Sequence, residues 1–318
     1  MLRLRFRRPD VLTVVLTSSR VAPGLLSWEV WATLREAFAV LSDAGGRHPQ
    51  APALAAAGIE VAPGTLDDAA AVAADGKRAV WLAPPDAPAD SFSGWRVLPG
   101  SEDLPGAHLI DAVSVMDTLR AECPWDQKQT HESLLKYLLE ESYEAAETIE
   151  TGDVAGMREE LGDVLLQVLF HARIAAERAD SGFTVDDVAD ELVAKLTRRH
   201  PHVFGAVTVS GAEDVNRNWE AIKKAEKAEK ASAKGAGPAS VLDGIPFGQP
   251  ALSLAAQLLK RASKAGFPGS GSGDDGVGAE LMALVARARA AGEDPELELR
   301  AAARRFADEV RAWERAGD

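Results

Sequence analysis

The sequence predicts a mainly α protein, in which a small α/β domain is followed by an all-α bundle of four-helix type and then by further helices. Residues 1–105 alternate short β-like runs with alanine-rich helical stretches. After Pro105, nearly every segment from Ala112 to Lys234 has helical periodicity. A Gly/Ser-rich stretch, 266–278, follows one more helix and precedes the Ala/Arg-rich C-terminal helices. Its composition is typical of a flexible linker or a mobile loop.

The charge and the cysteine content exclude several classes of function. The 318 residues contain 35 Lys plus Arg and 49 Asp plus Glu, which gives a formal net charge of −14. Tracking nucleic-acid phosphates requires clustered positive charge, so binding to nucleic acid is not expected, although small phosphorylated ligands that arrive with divalent cations are not excluded. One cysteine, Cys123, fits a reducing compartment. The apolar run near the start, Val11–Leu16, is too short for a membrane span, so the sequence predicts a cytoplasmic protein.

Short periodic segments define the first domain. Val11–Leu16 and Arg78–Leu82 are apolar and predict strands, whereas Trp28–Leu41 and Asp67–Ala74 predict helices. These four segments together indicate a small α/β unit.

Turn signals divide the helical part that follows. Turns are predicted at Cys123–Pro124, Thr151–Gly152–Asp153, Ser181–Gly182 and His200–Gly205. A first long helix runs from about His131 to Glu150, with Thr130 as its N-cap and Gly152 as its stop, and a second begins after Asp153, which is also a good cap. This pair cannot bury its apolar faces alone, so helices over 184–199 and 215–230 are expected to complete a bundle of four.

Acidic residues are concentrated on this helix pair. At 100° per residue, four glutamates of the first helix, Glu140, Glu141, Glu144 and Glu147, fall within an arc of about 120°. The second helix contains an almost wholly apolar stretch, Leu161–Phe170, which predicts a buried helix. Glu160 and Asp163, which are neighbours on its surface, would then be carboxylates in a buried helix.

Three interpretations of these acids are open. A charge run is usually a solvated helix face, yet residues 140–163 contain nine acids and only one base, Arg158. Oxygen-only ligand sets suit Mg²⁺ or Mn²⁺, so carboxylate pairs on two antiparallel helices would form a metal site. A di-iron centre would need Glu-x-x-His, which does not occur between 140 and 171. The spacing therefore favours magnesium.

Five sequence motifs follow one another over roughly residues 110–230. Glu140-Glu141-Ser142-Tyr143-Glu144, followed by Glu160-Leu161-Gly162-Asp163, is similar to the EExxE…ExxD signature of all-α pyrophosphohydrolases. The flanking motifs that narrow the resemblance are CPWDQKQTH from Cys123, LLQVLFHA from Leu165, RRHPHVF from Arg198 and NWEAIK from Asn218. Five motifs in this order are far more specific than one acidic helix, and together they resemble those of the MazG family of nucleoside triphosphate pyrophosphohydrolases.

The resemblance implies a Mg²⁺-dependent hydrolysis of NTPs or dNTPs between the α- and β-phosphates, which releases a nucleoside monophosphate and pyrophosphate. By motif position, Glu141, Glu144, Glu160 and Asp163 would be the metal ligands. Glu140 would accept a hydrogen bond in the outer shell or orient the attacking water. Related enzymes build their bundle as dimers, which implies a homodimer here.

Substrate-binding residues are assigned from the same motifs, and all but Lys128 have an ordinary structural alternative. They are Trp125, Lys128, Arg198, Arg199, Trp219 and Lys223. Each tryptophan would stack on a base or be a core aromatic, and the arginines would bind phosphate or favour the C-terminal end of their helix. His200 and His202, which flank a proline, are expected to stabilise a turn rather than bind metal.

Both ends of the chain resemble degenerate domains. Pro250-Ala251-Leu252, Leu258–Ala262 and Gly266-Phe267 resemble the opening of a second MazG domain. The helical segment after the Gly/Ser stretch, Glu280–Leu284, has no ExxE or ExxD pair, so residues 236–318 are expected to be catalytically silent. Residues 1–105 resemble the tetrapyrrole methyltransferase domain fused to some family members, with Thr17-Ser18-Ser19-Arg20 replacing its glycine-rich turn. The predicted domains are therefore 1–105, 106–235 and 236–318, with catalysis in the second.

Three functions from different classes remain. The first is a pyrophosphohydrolase that clears unwanted nucleotides from the pool. The second is a non-catalytic, dimeric nucleotide or metal sensor, although all four ligand positions are acidic, which favours an enzyme. The third is an acidic helical interaction module, whose stability would not depend on a metal.

Overall fold

The computed structural model describes residues 11–233, 240–269 and 276–316. Its contacts form two compact units, one ending at Ala194 and the other beginning at Lys195. The predicted domain boundaries after residues 105 and 235 do not coincide with this division, and they stay predictions. The middle of the predicted Gly/Ser linker, 270–275, lies outside the described residues.

The chain begins with a parallel five-stranded sheet in the order β3-β2-β4-β1-β5. Its strands are β1 (Leu12–Leu16), β2 (Ala39–Ser42), β3 (Val61–Pro63), β4 (Ala79–Leu82) and β5 (Arg96–Pro99). The connecting helices are α1 (Trp28–Glu36), α2 (Ala51–Ala56) and α3 (Leu66–Ala74). Helices α1 and α2 pack in one core with Val15 and Val80, and α3 packs in another with Val14 and Trp81. Both faces of the sheet are therefore covered, as a parallel sheet requires, and the predicted α/β unit is confirmed.

The predicted helix over Trp28–Leu41 is wrong at its C-terminal end. Helix α1 ends at Glu36, and the chain re-enters the sheet as β2. Val40 and Leu41 are buried, and the backbone N–H of Phe38 donates to the Arg78 carbonyl at 2.8 Å. A short apolar run has no clear periodicity, so only its pairing with β4 distinguishes this strand from a continued helix.

Helices α5 (His131–Thr151) and α6 (Val154–Ala175) form an antiparallel hairpin with a two-residue connection. The Thr130 hydroxyl accepts from the Ser133 N–H and so caps α5, and the Asp153 carboxylate caps α6. Gly152 ends α5 with a φ of 73°, a left-handed conformation that favours glycine. These three predicted cap and stop positions are confirmed.

Helix α4 (His108–Glu122) packs against α6, and its Met116 shares a core with Leu134, Leu169 and Phe170. Helix α7 (Val185–Arg199) begins with Val185 against that same core and crosses the boundary between the two units. Closure of a four-helix bundle stays a prediction.

The prediction that α6 is a buried helix is wrong for a single chain. Leu161, Leu166 and Val168 are exposed, whereas Gln167 and Leu169 are buried. One face of α6 packs on α4 and α5, whereas residues on its opposite face stay exposed among the described residues 11–194 of the first unit. Glu160 and Asp163 are consequently half-buried rather than buried.

The second unit consists of helices. They are α8 (Pro201–Phe204), α9 (Ala212–Ala233), α10 (Ala251–Lys264), α11 (Val277–Ala291) and α12 (Pro295–Ala316). The predicted turn at His200–Gly205 contains the short helix α8, which starts at a proline, a residue favoured at the first helical position. Helices α10, α11 and α12 pack on one another. Among the described helices, none combines the length and apolar content that crossing a bilayer requires.

Candidate metal centre

Three carboxylates converge where α5 and α6 face each other. Glu141 and Glu144 lie on α5 and Glu160 lies on α6, and one oxygen from each lies within 4.8 Å of the others. The tight connection at Gly152 turns the chain so that the acidic faces of the two helices meet. Three of the four predicted ligands are thus brought together.

The fourth predicted ligand, Asp163, lies close to this group without being part of its closest trio. It is three residues from Glu160 on α6, so the two side chains are neighbours on the helix surface. Its charge raises the pKa of both Glu141 and Glu160. Glu140 is exposed beside Glu141 and contributes the smallest of the charge effects on it.

The electrostatics of the cluster are those of acids without a counter-charge. Partial burial raises the pKa of Glu141, and the charges of Asp163 and Glu144 raise it further. Glu160 shows the same direction, from burial first and then from Glu144 and Asp163. Within the described part of the chain, no lysine or arginine forms an ion pair with these four carboxylates. An oxygen-only, electron-rich donor set of this kind fits a hard divalent cation.

An aromatic side chain stands near the open end of the hairpin. Trp125 is 52% exposed, and its ring meets Tyr137 edge-on at 6.1 Å and Phe170 at 6.4 Å between centroids. Tyr137 lies one helical turn before Glu141, about 6 Å along the axis of α5. Trp125 therefore borders the core and also presents ring surface to solvent. Lys128 lies in the adjacent 3-10 turn, Asp126–Lys128, and is exposed.

Three of the predicted substrate-binding cations, Arg198, Arg199 and Lys223, lie in the second unit. The two arginines share one carboxylate partner. Arg198 and Arg199 both bind Glu226, with Nε–Oε1 at 2.8 Å and Nη2–Oε2 at 2.7 Å respectively. Hydrogen bonds from Arg199 and then Arg198 lower the pKa of Glu226 to about 2. Lys223 Nζ lies 4.4 Å from the ring centroid of Trp219, and the Arg199 guanidinium lies 5.7 Å from it.

Sequence reasoning missed Glu226, because it belongs to a Lys/Glu run that normally forms a solvated face. Its available signal is its spacing, since it follows Trp219 by seven residues and so shares that residue's helix face. His200 Nδ1 lies 2.7 Å from the Leu196 carbonyl, a contact that suits the predicted turn-stabilising role.

A pair of histidines across the hairpin was also missed. The Nδ1 atoms of His131 and His171 are 2.8 Å apart, and the two rings stack at 5.1 Å. Burial and the neighbouring His131 lower the pKa of His171. Forty residues separate the pair in sequence, so only the helix register brings them together.

The segment that replaces the glycine-rich turn places Arg20 at the carboxyl edge of the sheet. Its guanidinium binds Asp86 at 2.5 Å, Asp103 at 3.4 Å and Asp111 at 3.0 Å. Asp111 belongs to α4, so this arginine joins the sheet to the first helix of the helical part. The contacts give Arg20 a structural role within the first unit.

Comparison with known proteins finds related sequences. Residues 129–204 match the MazG nucleotide pyrophosphohydrolase domain. The chain is 51% identical over 219 residues to an uncharacterised 26.1 kDa protein of Streptomyces cacaoi, a match that covers 69% of this chain and 87% of that one. It is 44% identical over 224 residues to the nucleoside triphosphate pyrophosphohydrolase of Mycobacterium tuberculosis, with 70% and 63% covered. It is 39% identical over 235 residues to the nucleoside triphosphate pyrophosphohydrolase/pyrophosphatase MazG of Thermotoga maritima, with 66% and 86% covered. The chain thus spans slightly less than two thirds of the mycobacterial relative.

Proposed function

Since this chain belongs to the MazG family of nucleoside triphosphate pyrophosphohydrolases, we infer that it hydrolyses NTPs or dNTPs to the nucleoside monophosphate and pyrophosphate. The bond cleaved would be the one between the α- and β-phosphates. The observation that carries this proposal is the convergence of Glu141, Glu144 and Glu160, whose carboxylate oxygens lie within 4.8 Å of one another.

The carboxylates are the reason for proposing a divalent cation as cofactor. A nucleoside triphosphate carries about four negative charges and is repelled by an uncompensated acidic cluster. Glu141, Glu144, Glu160 and Asp163 would hold Mg²⁺, or Mn²⁺ in its place. When bound, the ion supplies charge neutralisation for the leaving pyrophosphate and lowers the pKa of coordinated water. Glu140, which is exposed beside Glu141, would orient the attacking water.

Other side chains would bind the nucleotide. The exposed part of the Trp125 ring would stack on the base, and Lys128 would interact with the phosphates. Arg198, Arg199 and Lys223 would contribute positive charge, with Glu226 holding the two guanidinium groups in a fixed orientation. Trp219 would support Lys223 through their cation–π contact.

The physiological setting is proposed on the same basis. The enzyme would act as a homodimer in the cytoplasm, where it would remove unwanted nucleotides from the pool. Residues 1–105 would serve as a scaffold, and residues 236–318 would have no catalytic activity of their own. The alternative, a nucleotide or metal sensor without turnover, uses the same acidic cluster.

A substrate panel tests the reaction directly. Canonical and modified NTPs and dNTPs are incubated with the full chain and Mg²⁺, and pyrophosphate and orthophosphate are measured separately. Pyrophosphate release that requires Mg²⁺ is expected. Orthophosphate release would contradict cleavage between the α- and β-phosphates. A nucleotide-dependent rise in melting temperature without any turnover would support the sensor instead.

A further inference from the structure

Arg120, in the last turn of α4, makes a set of contacts that the proposed reaction does not account for. Its side chain is only 10% exposed. Its Nε and Nη2 donate to the two carboxylate oxygens of Glu177 at 2.8 Å and 2.9 Å. Its Nη1 donates to the backbone carbonyls of Asp126 and Gln129, the latter at 3.1 Å. One guanidinium therefore joins α4, the residues just after α6, and the loop between α4 and α5.

The loop in question is residues 123–129, which we term the substrate loop because it carries Trp125 and Lys128. Its internal bonds are local, as when the Gln127 N–H donates to the Cys123 carbonyl at 3.0 Å. The two carbonyls that bind Arg120 belong to Asp126, the first residue of its 3-10 turn, and to Gln129, which directly follows that turn. Gln127 adds a bond from its side chain to the Ala121 carbonyl on α4. Arg120 thus anchors both ends of the turn that follows Trp125.

The anchor is itself held in place. Arg173 of α6 binds Glu177 at 3.1 Å and Asp117 of α4 at 2.7 Å. Hydrogen bonding to Arg120 lowers the pKa of Glu177, so this carboxylate stays ionised. The planar guanidinium can serve the carboxylate and two carbonyls at once, a geometry that the point charge of lysine cannot reproduce.

We propose that Arg120 is the positioning residue that holds the substrate loop, and with it the Trp125 ring, in the orientation that receives the nucleobase. This inference rests on the proposed function, because it takes Trp125 as a substrate contact. The ring lies against Tyr137 and Phe170, so its free surface faces one fixed direction only while the loop stays anchored. Arg120 acts through Trp125 and touches neither the acidic cluster nor the reacting phosphates.

The kinetic test compares Arg120 with a matched neighbour. Arg120→Met removes the hydrogen bonds to the loop, whereas Arg120→Lys keeps the positive charge but loses the planar set of guanidinium donors. Arg173→Met removes two ion pairs of the same network, and Arg173 itself makes neither of these hydrogen bonds to the loop. Since base stacking on an aromatic ring contributes substantially to binding, Arg120→Met is expected to raise KM about tenfold with kcat nearly unchanged. The KM of Arg120→Lys should fall between those of Arg120→Met and the wild type. Arg173→Met leaves the bonds from Arg120 to the loop in place, so it should raise KM less than Arg120→Met does.

Two further measurements separate positioning from general destabilisation. Hydrogen exchange of the amides in 123–129 should be faster in Arg120→Met than in Arg173→Met, and this readout requires neither metal nor activity. In a double-mutant cycle, Arg120→Met should raise KM little further once Trp125→Ala is present, because both act through one ring. Additive effects, equal KM changes in both arginine variants or unchanged loop exchange would overturn the proposal. A wild-type chain that releases no pyrophosphate would instead contradict the proposed function.

Discussion

Glu141 and Glu160 show how single residues of the site are tuned. Burial and neighbouring carboxylates raise the pKa of both side chains, so each holds its proton to a higher pH than it would in an unfolded chain. Between the unfolded pKa near 4.5 and the raised value, the folded chain binds more protons, so these two groups make the metal-free protein less stable as the pH rises. The repulsion between the carboxylates is thus greater at neutral pH than in acid, and a bound cation would reduce it.

Glutamine at these positions should separate activity from stability. Glu141→Gln and Glu160→Gln each remove one charge from the cluster, so the metal-free variants should melt at or above the wild-type temperature at pH 7. Their kcat/KM should fall by at least the roughly 10–100-fold that loss of an outer metal-site group costs.

Glu159→Gln is the matched control, since this residue neighbours Glu160 but is not among the converging carboxylates. Wild-type turnover in either cluster variant would contradict the ligand assignment. Thermal melting without metal and pyrophosphate release with Mg²⁺ are the two measurements.

His48 should make the α/β unit sensitive to mild acid. Its side chain is 1% exposed, its Nε2 donates to the Ala83 carbonyl at 3.0 Å, and its Nδ1 accepts from the Gln50 N–H. Burial lowers its pKa, so below about pH 6.5 the unfolded chain binds a proton that the folded chain does not. Stability should therefore fall as the pH drops from 6.5 towards the folded pKa, and His171 should act in the same direction.

Urea unfolding at a series of pH values between 7.5 and 5.5 measures this loss. The slope of unfolding free energy against pH should be smaller in His48→Gln, although that variant is less stable overall. His108→Gln is the control, because the His108 side chain is 79% exposed. An unchanged slope in His48→Gln would show that His48 does not carry the effect.

At the scale of the elements, caps and turn residues in the sequence predicted where the helices of the hairpin begin and end. The bounds of α5 and α6 were readable because Thr130, Gly152 and Asp153 act within a few residues of themselves. The end of α1 and the exposed face of α6 were not, because sheet pairing and helix packing decide them. The convergence of the acids could be predicted from helix periodicity. The contacts of Glu226 and Arg120 could not, because their partners lie in other elements of the chain.

Gly152 allows a test of the hairpin as an element. A Cβ at this position would meet open space, so Gly152→Ala should cost only the backbone strain of a left-handed alanine, about 1 kcal/mol. Gly162, in the middle of α6, also has open space around its Cβ but an ordinary helical conformation. Gly162→Ala should raise the unfolding free energy by roughly 0.5–1 kcal/mol. Denaturant titrations measure the unfolding free energy of each variant. A change of the same sign in both variants would contradict this prediction.

For the whole molecule, both the negative charge and part of the exposed apolar surface are concentrated on the hairpin of α5 and α6. Residues 140–163 contain nine acids and one base, so more than half of the net charge of −14 comes from one hairpin. The same hairpin exposes large apolar side chains, including Leu135, Leu139, Ile149 and Leu161. Exposed apolar surface is costly to leave in water, and these side chains are the physical argument for the proposed homodimer.

Sedimentation can decide the oligomeric state. The wild type should sediment at twice the mass of the 33.7 kDa chain. Leu139→Asp and Leu161→Asp should shift it towards the monomer, because each places a charge on the apolar face of the hairpin. Leu109→Asp on α4 is the control, since Leu109 is 52% exposed against 50% for both hairpin leucines. A monomeric wild type, or equal effects of all three substitutions, would contradict the predicted interface.

The short connection between α5 and α6 also constrains how this gene can change. Glu144 and Glu160 each lie eight residues from Gly152, so the chain itself sets their alignment across the hairpin. One codon inserted within α6 before Glu160 would turn Glu160 by about 100° around the helix and shift it by about 1.5 Å relative to the start of α6, which would point it away from its partners. The connection between α6 and α7, residues 176–184, carries no such constraint on the acids. Length variation over evolutionary time should therefore accumulate there, while the hairpin changes by substitution alone.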